Sequence, residues 1–269
     1  LGGRVSRESR LPGLGEWARV RDWRVTQLER MPEVSIYRGS TLEAEHVLEF
    51  GARHVAIATG SIWRRDGVGR ESGFAVPGFD AAAVYTPDDL MAGRVPSEGP
   101  VIVWDDDHYY LGGVLAELCR NAGMEVTLVT AAPMVSAWTV NTLEALPIAR
   151  RIARLGITVV PYTSIARFRD GAVQLVNALT GAETELPAAA LVTITARLPV
   201  DGLFEQLRDR WEGAGMTSLT RIGDCLAPST IQQAVYTGHK WARQLDEAPE
   251  GLTPRELPMI ESGRVKVAS

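Results

Sequence analysis

Between residues 101 and 160 short apolar strands alternate with helices, and few folds accommodate that pattern. Val101–Trp104 reads as a strand, Gly113–Ala122 as a helix stopped by Gly123, and Val126–Val129 as a second strand. Thr142–Leu155 then reads as a helix stopped by Gly156, and Ile157–Val160 as a third strand. Apolar strands joined by helices bury both faces in a parallel sheet with helices packed on it. The fold class is therefore α/β. Segments 166–168, 172–177 and 184–186 follow as an antiparallel meander with turns at Asp170-Gly171 and Thr180-Gly181. Leu191–Thr195 reads as a further buried strand.

The first strand-to-helix turn of this unit is unusual. A dinucleotide site places G-x-G-x-x-G there, so that the backbone approaches a pyrophosphate seated on the helix N-terminus. Here Asp105, Asp106 and Asp107 fill the turn, and only Gly112 and Gly113 remain, at the helix start. Three carboxylates repel a pyrophosphate and obstruct its approach. The next strand ends Val129-Thr130, with no acid placed to hold a ribose. A Rossmann-like unit that does not take NAD in the usual way is expected. The aspartates either cap the helix, ligate a cation or touch a neighbouring domain.

The flanking regions are less regular. An amphipathic helix runs from Gly15 to Arg30, stopped by Pro32, and carries Trp17 and Trp23, expected to pack in a core or interface. Ser35–Arg38 reads as a short strand. His54–Ala58 is an apolar strand that runs into Thr59-Gly60, and Thr86-Pro87 opens a helix. After Pro199 come a polar helix over 201–212, a strand Leu219–Ile222 running into Gly223-Asp224, and a helix from about Ser229 to Leu245. The tail from Pro249 reads as extended. Three strand-end motifs, Ala58-Thr59-Gly60, Thr195-Ala-Arg-Leu-Pro199 and Ile222-Gly223-Asp224, sit at carboxyl ends of strands, where ligands bind in such sheets.

Composition narrows the function. With 269 residues and a net charge of −5, the chain has length for about two domains and no basic surface for nucleic acid or anionic membrane. No apolar run approaches the ~20 residues of a membrane helix. Cys119 and Cys225, the only cysteines, are too few for a four-cysteine zinc or iron–sulfur site. His46, His54, His108 and His239 are scattered and suggest no metal site. The chain opens Leu1-Gly2-Gly3-Arg4, with neither Met nor a signal-peptide core, which leaves a fragment, a processed chain and an artificially bounded piece all open; a cytoplasmic location is expected.

Several runs together carry a resemblance: Leu1-Gly-Gly-Arg4, Leu11-Pro-Gly-Leu-Gly-Glu-Trp17, Ala58-Thr-Gly-Ser61, Asp105-Asp-Asp-His-Tyr-Tyr-Leu-Gly-Gly113, Val135-Ser-Ala-Trp-Thr-Val-Asn141 and Ile222-Gly-Asp224. The chain resembles the C-terminal half of the trimethylamine/dimethylamine dehydrogenase family, to which histamine dehydrogenase is similar. The resemblance implies two glutathione-reductase-like, three-layer nucleotide-binding domains, the first lacking its N-terminal β-α-β. It places a partial ADP- or FAD-type domain at 1–95 and 200–269 and an NAD-domain-like unit at 96–199. It implies FMN and a [4Fe–4S] cluster in a missing N-terminal barrel, homo-oligomerisation, and an electron-transferring flavoprotein as partner. Carried over residue by residue, Gly3 and Arg4 line the phosphate side of the nucleotide, and Ser40 and Thr41 lie where adenine is contacted. Thr59 and Gly60 close the pocket, and Asp224 faces the ribityl or pyrophosphate region. No catalytic or metal-binding residue is assigned to this chain. Two other readings stay open: a non-catalytic nucleotide-binding or scaffolding subunit, and an FAD/NADPH-linked enoate-type reductase. Residues 1–95 are expected to be unstable in isolation, because strand 54–58 lacks neighbours, and about 97–199 to fold alone.

Overall fold

The protein is described by a computed structural model over residues 1–245. Its first part holds three helices, α1 (Gly3–Glu8), α2 (Ala18–Leu28) and α3 (Ala44–Phe50), then strands β1 (His54–Ile57) and β2 (Ser61–Trp63). Next come β3 (Val84–Tyr85), α4 (Pro87–Met91), β4 (Val101–Asp105), α5 (Leu111–Asn121), β5 (Val126–Val129), α6 (Ala145–Arg154) and β6 (Thr158–Val160). The meander is β7 (Thr163–Arg169), β8 (Ala172–Asn177) and β9 (Glu183–Pro187), followed by β10 (Ala190–Ile194) and β11 (Arg197–Pro199). The chain returns through α7 (Gly202–Leu207), β12 (Ser218–Arg221) and α8 (Ile231–Arg243).

A parallel five-stranded sheet in the order β3-β10-β4-β5-β6 forms the centre of the larger unit. Successive residues of β4 face opposite sides, as a strand's period of two requires. Val101 and Val103 join Leu111, Leu115, Cys119 and Ile152 beneath α5 and α6. Ile102 and Trp104 join Ile165, Phe168, Val173 and Leu175 beneath the meander. Helices, sheet and meander thus make three layers. The unit reaches upstream of residue 96: Val84–Tyr85 pairs with β10, and Val76 and Phe79 belong to the core under the meander.

Around the sequence's two ends lies a smaller core of Ala44, Val47, Ile57, Leu207, Met216 and Cys225. β1 pairs in parallel with β12, from His54 opposite Ser218 to Ile57 opposite Arg221, and no other described strand pairs with it. The expected strand at Ser35–Arg38 is absent. That segment is irregular backbone, and a strand of four residues without a ladder partner has nothing to hold it extended. The helix expected from Thr142 starts at Ala145, because Leu143 adopts φ +63° and closes a preceding 3-10 turn, Ala137–Thr142. Thr86 caps α4 as expected, its hydroxyl accepting from the Asp89 amide. The tail from Pro249 lies outside the described residues.

Candidate functional site

Two clefts meet near the N-terminus of the chain. The first, of about 710 Å³, is lined by Gly2, Gly3, Arg4, the β1–β2 turn Ala58–Ser61, the β12 end Ile222–Asp224 and the inner face of α8. Gly3, Arg4, Thr59, Gly60 and Asp224 all line it. Ser40 and Thr41 do not: they lie in an exposed loop and border neither cleft. The turn at Gly2 has φ +93°, and a Cβ there would come within 2.5 Å of Ser6 Oγ and 2.7 Å of the Arg21 side chain. The left-handed backbone therefore favours glycine where the chain bends around the cleft mouth.

The first cleft favours anions. Among the described residues, Arg4, Arg7, Arg21, Arg24 and His239 border it against one carboxylate, Asp224. Arg21 is held by the neighbouring Asp22 at 2.7 Å and donates to the Ser6 hydroxyl at 3.1 Å, partly exposed contacts that a phosphate can displace. Asp224 is itself occupied. Its Oδ2 accepts from Arg197 at 2.6 Å and from the Ser61 hydroxyl at 3.0 Å, and its Oδ1 accepts from the Ser229 amide at 3.1 Å. Arg4 lies 3.6 Å from Oδ2, bonds Glu8 at 3.2 Å and donates to the Ser229 carbonyl at 3.0 Å. Glu8 is buried and accepts from the Tyr110 hydroxyl at 2.8 Å. Burial and the Glu8 charge push the Tyr110 phenol far above its ordinary range, so it stays a neutral donor.

The second cleft, about 740 Å³, opens between this network and the three-aspartate turn. Its walls include Trp63, Tyr109, Tyr110, Trp138, Arg70, Asp107 and Arg197. Arg70 lies over the Trp138 ring at 4.2 Å, and Tyr109 meets the same ring edge-on at 5.8 Å. Trp17 borders this cleft too, and Trp17 and Trp23 are both exposed rather than packed in a core.

The aspartate turn is structural. Asp105 is buried, and its Oδ1 caps the turn by accepting from the His108 amide at 2.9 Å. Asp106, also buried, accepts from the Arg70 amide at 2.5 Å and the Glu71 amide at 3.3 Å, tying the 66–72 loop to the end of β4. Burial raises Asp105 to about 7, helped by the Asp107 charge. Burial also raises Asp106 to about 6, against the two amides that favour its charged form, and Asp107 to about 6, against the Arg70 and Arg4 charges. Asp105 Oδ2 and Asp106 Oδ1 meet no donor among the described residues, which agrees with these raised values. No group of three or more His, Cys, Asp or Glu among the described residues is arranged to hold a metal. Gly112 has no role toward a phosphate: a Cβ there would fall 2.5 Å from Asp105 Cγ.

Sequence reasoning missed Glu8, Tyr110 and Arg197 as members of this network. Arg197 sits inside the strand-end motif Thr195–Pro199, and only its charge, next to a ligand-side strand end, could have marked it. Two of the three strand-end motifs converge, since β1 and β12 both end beside the first cleft, whereas Arg197 of the third borders the second.

The sequence and overall fold are similar to those of known proteins. A family model described as "OYE-like second alpha/beta domain" matches residues 85–186. Dimethylamine dehydrogenase from Hyphomicrobium sp. (strain x) is 34% identical over 92% of this chain and 37% of its own length. The structure of histamine dehydrogenase from Rhizobium sp. 4-9 superposes with a TM-score of 0.90 at 44% identity, over 93% of this chain and 39% of its own. That of 6-hydroxypseudooxynicotine amine oxidase from Pseudomonas geniculata N1 gives 0.87 at 44% identity, over 88% and 36%. The chain therefore spans less than two fifths of the length of these relatives. Dimethylamine dehydrogenase and histamine dehydrogenase are its homologues.

Proposed function

We propose that this chain, a homologue of dimethylamine and histamine dehydrogenases, is the nucleotide-binding C-terminal portion of an amine-dehydrogenase-like oxidoreductase. One observation carries the reading: Gly3, Arg4, Thr59, Gly60 and Asp224, separated by up to 221 positions, border a single arginine-rich cleft. Its glycine turns and excess of guanidinium groups fit the phosphates of ADP or of the ADP half of FAD. Arg4, Arg21 and Arg24 would neutralise those phosphates, and Gly2 and Gly3 would let the backbone approach them. Ser40 and Thr41, exposed and outside the cleft, would contact adenine only where it extends beyond the cleft border.

Redox chemistry lies elsewhere in such a protein. Cys119 and Cys225 are both buried and stand in different cores, so these residues do not fit a four-cysteine cluster. In the parent, FMN and a [4Fe–4S] cluster held by the barrel would supply amine oxidation and one-electron transfer toward an electron-transferring flavoprotein. This chain's residues bind and orient the nucleotide and support the barrel domain in a cytoplasmic homo-oligomer. The fragment alone is inactive. The aspartate turn weighs against an NADPH-linked reductase, because a dinucleotide diphosphate there would face Asp105–Asp107 and a helix packed tightly on Asp105.

The test is to purify the full-length gene product and record its absorption spectrum, flavin and iron content, and the nucleotide released by acid. Bound flavin, iron and an adenine nucleotide, with reduction by a methylated or biogenic amine, are expected. A full-length protein free of flavin and iron refutes the proposal in favour of a binding or scaffolding subunit.

A further inference from the structure

Resting on the nucleotide reading above, we infer that Arg197 determines where a nucleotide in the first cleft ends. Its ion pair with Asp224 forms a wall that accepts a diphosphate terminus and turns away the ribityl–isoalloxazine half of a flavin dinucleotide. The two clefts share Arg4, Val20, Arg24, Ile231 and Val235 along one side, but Asp224 borders only the first and Arg197 only the second. Their side chains meet at 2.6 Å, with 11% of Arg197 and 13% of Asp224 exposed, so the pair itself separates the two spaces. Arg197 is fixed from behind as well, donating to the Ser229 carbonyl at 2.9 Å and lying over the Trp63 ring at 5.3 Å.

Acceptor capacity points the same way. A carboxylate offers about four lone-pair positions. Asp224 meets Arg197, Ser61, the Ser229 amide and, at 3.6 Å, Arg4. None is left for a sugar-alcohol hydroxyl. Charge completes the argument: a bare Asp224 would repel a diphosphate, whereas Asp224 neutralised by Arg197, with Arg4 shared between it and Glu8, does not. Removing Arg197 leaves a largely buried carboxylate short of its counter-ion. It also frees an acceptor and opens a path into the second cleft.

The experiment uses the full-length protein stripped of nucleotide and equilibrium dialysis against ADP and FAD separately. The wild type is expected to prefer ADP. Arg197→Ala should weaken ADP by about tenfold or more and move the ADP-to-FAD preference toward FAD by about tenfold. Arg197→Lys, which retains the charge, should stay near the wild-type preference. Arg197→Gln, milder on folding, should shift it in the same direction as Arg197→Ala. An unchanged preference in both neutral variants overturns the role of Arg197, as does a wild type that binds FAD as tightly as ADP. A wild type that binds neither overturns the nucleotide reading itself.

Discussion

Gly112 and Gly113 stand side by side at the start of α5, yet alanine should affect them very differently. At Gly112 the new Cβ lies 2.5 Å from Asp105 Cγ, 2.7 Å from Asp105 Cβ and 2.7 Å from Oδ2. Asp105 cannot retreat, since it is fully buried and its Oδ1 holds the His108 amide. Overpacking of this kind costs about 1–3 kcal/mol, while replacing a helical glycine by alanine returns about 0.5–1 kcal/mol. The net loss is about 0–2.5 kcal/mol, centred a little above 1 kcal/mol, which at that centre is a fall in Tm of about 2–5 °C for a chain of this size. At Gly113 the nearest atoms are Ile148 Cγ2 at 3.3 Å, Ser136 Oγ at 3.6 Å and Ile152 Cδ1 at 3.7 Å. The ends of two isoleucines can give by a few tenths of an ångström, so the helix-propensity gain should leave Tm within about 2 °C of the wild type. Thermal unfolding followed by circular dichroism measures both. Equal shifts in the two variants, or a Gly112→Ala protein as stable as the wild type, would refute the close seating of α5 on the end of β4.

The aspartate turn predicts a pH dependence. Asp105 titrates at about 7 and Asp106 and Asp107 at about 6 in the fold, all above the ordinary carboxylate range. Between about pH 4 and 7 the folded protein therefore binds protons that the unfolded chain has lost, and stability falls as pH rises through that window. A Tm that decreases from pH 5 to pH 8, with a flatter slope in Asp106→Asn, is expected in scanning fluorimetry; a rising Tm contradicts the burial of these groups. Tyr110→Phe should lower the urea midpoint by the equivalent of about 1–3 kcal/mol by removing the donor to buried Glu8. An unchanged midpoint would mean that Glu8 is satisfied by Arg4 alone. Limited proteolysis should leave a resistant piece beginning upstream of Val76 and retaining β10, because Val76, Phe79 and Val84 complete the core under the meander. First cleavage near residue 96 with release of a stable remainder contradicts that boundary.

The larger unit was legible because its periodicity is local. Val101 to Trp104 alternate between two cores, and α5 presents Leu111, Leu115 and Cys119 to one of them. The turn residues also spoke plainly: Asp170-Gly171, both at positive φ, joins β7 to β8. Ser35–Arg38 misled because its composition suits a strand while its conformation depends on a partner strand, which local sequence does not reveal. The 84–85 strand escaped notice for the converse reason: two residues carry no period, and the sheet edge at β10 supplies the order. In the site, residues adjoining turns were found from their motifs. Glu8, Tyr110 and Arg197 were not, because their significance lies in ion pairs and hydrogen bonds spanning 27 to 102 positions.

β2 and β11 carry the chain out of the smaller unit and back, and they are hydrogen-bonded to each other, Ser61 opposite Pro199 and Trp63 opposite Arg197. This short ladder is a double-stranded hinge: neither crossing can swivel without shearing the other. Ser61 at one corner and Arg197 at the diagonal corner both grip Asp224. Tilting one unit against the other must therefore stretch the contacts that close the first cleft. Access to that cleft and the angle between the units form a single mechanical coordinate, so a ligand that stiffens one stiffens both.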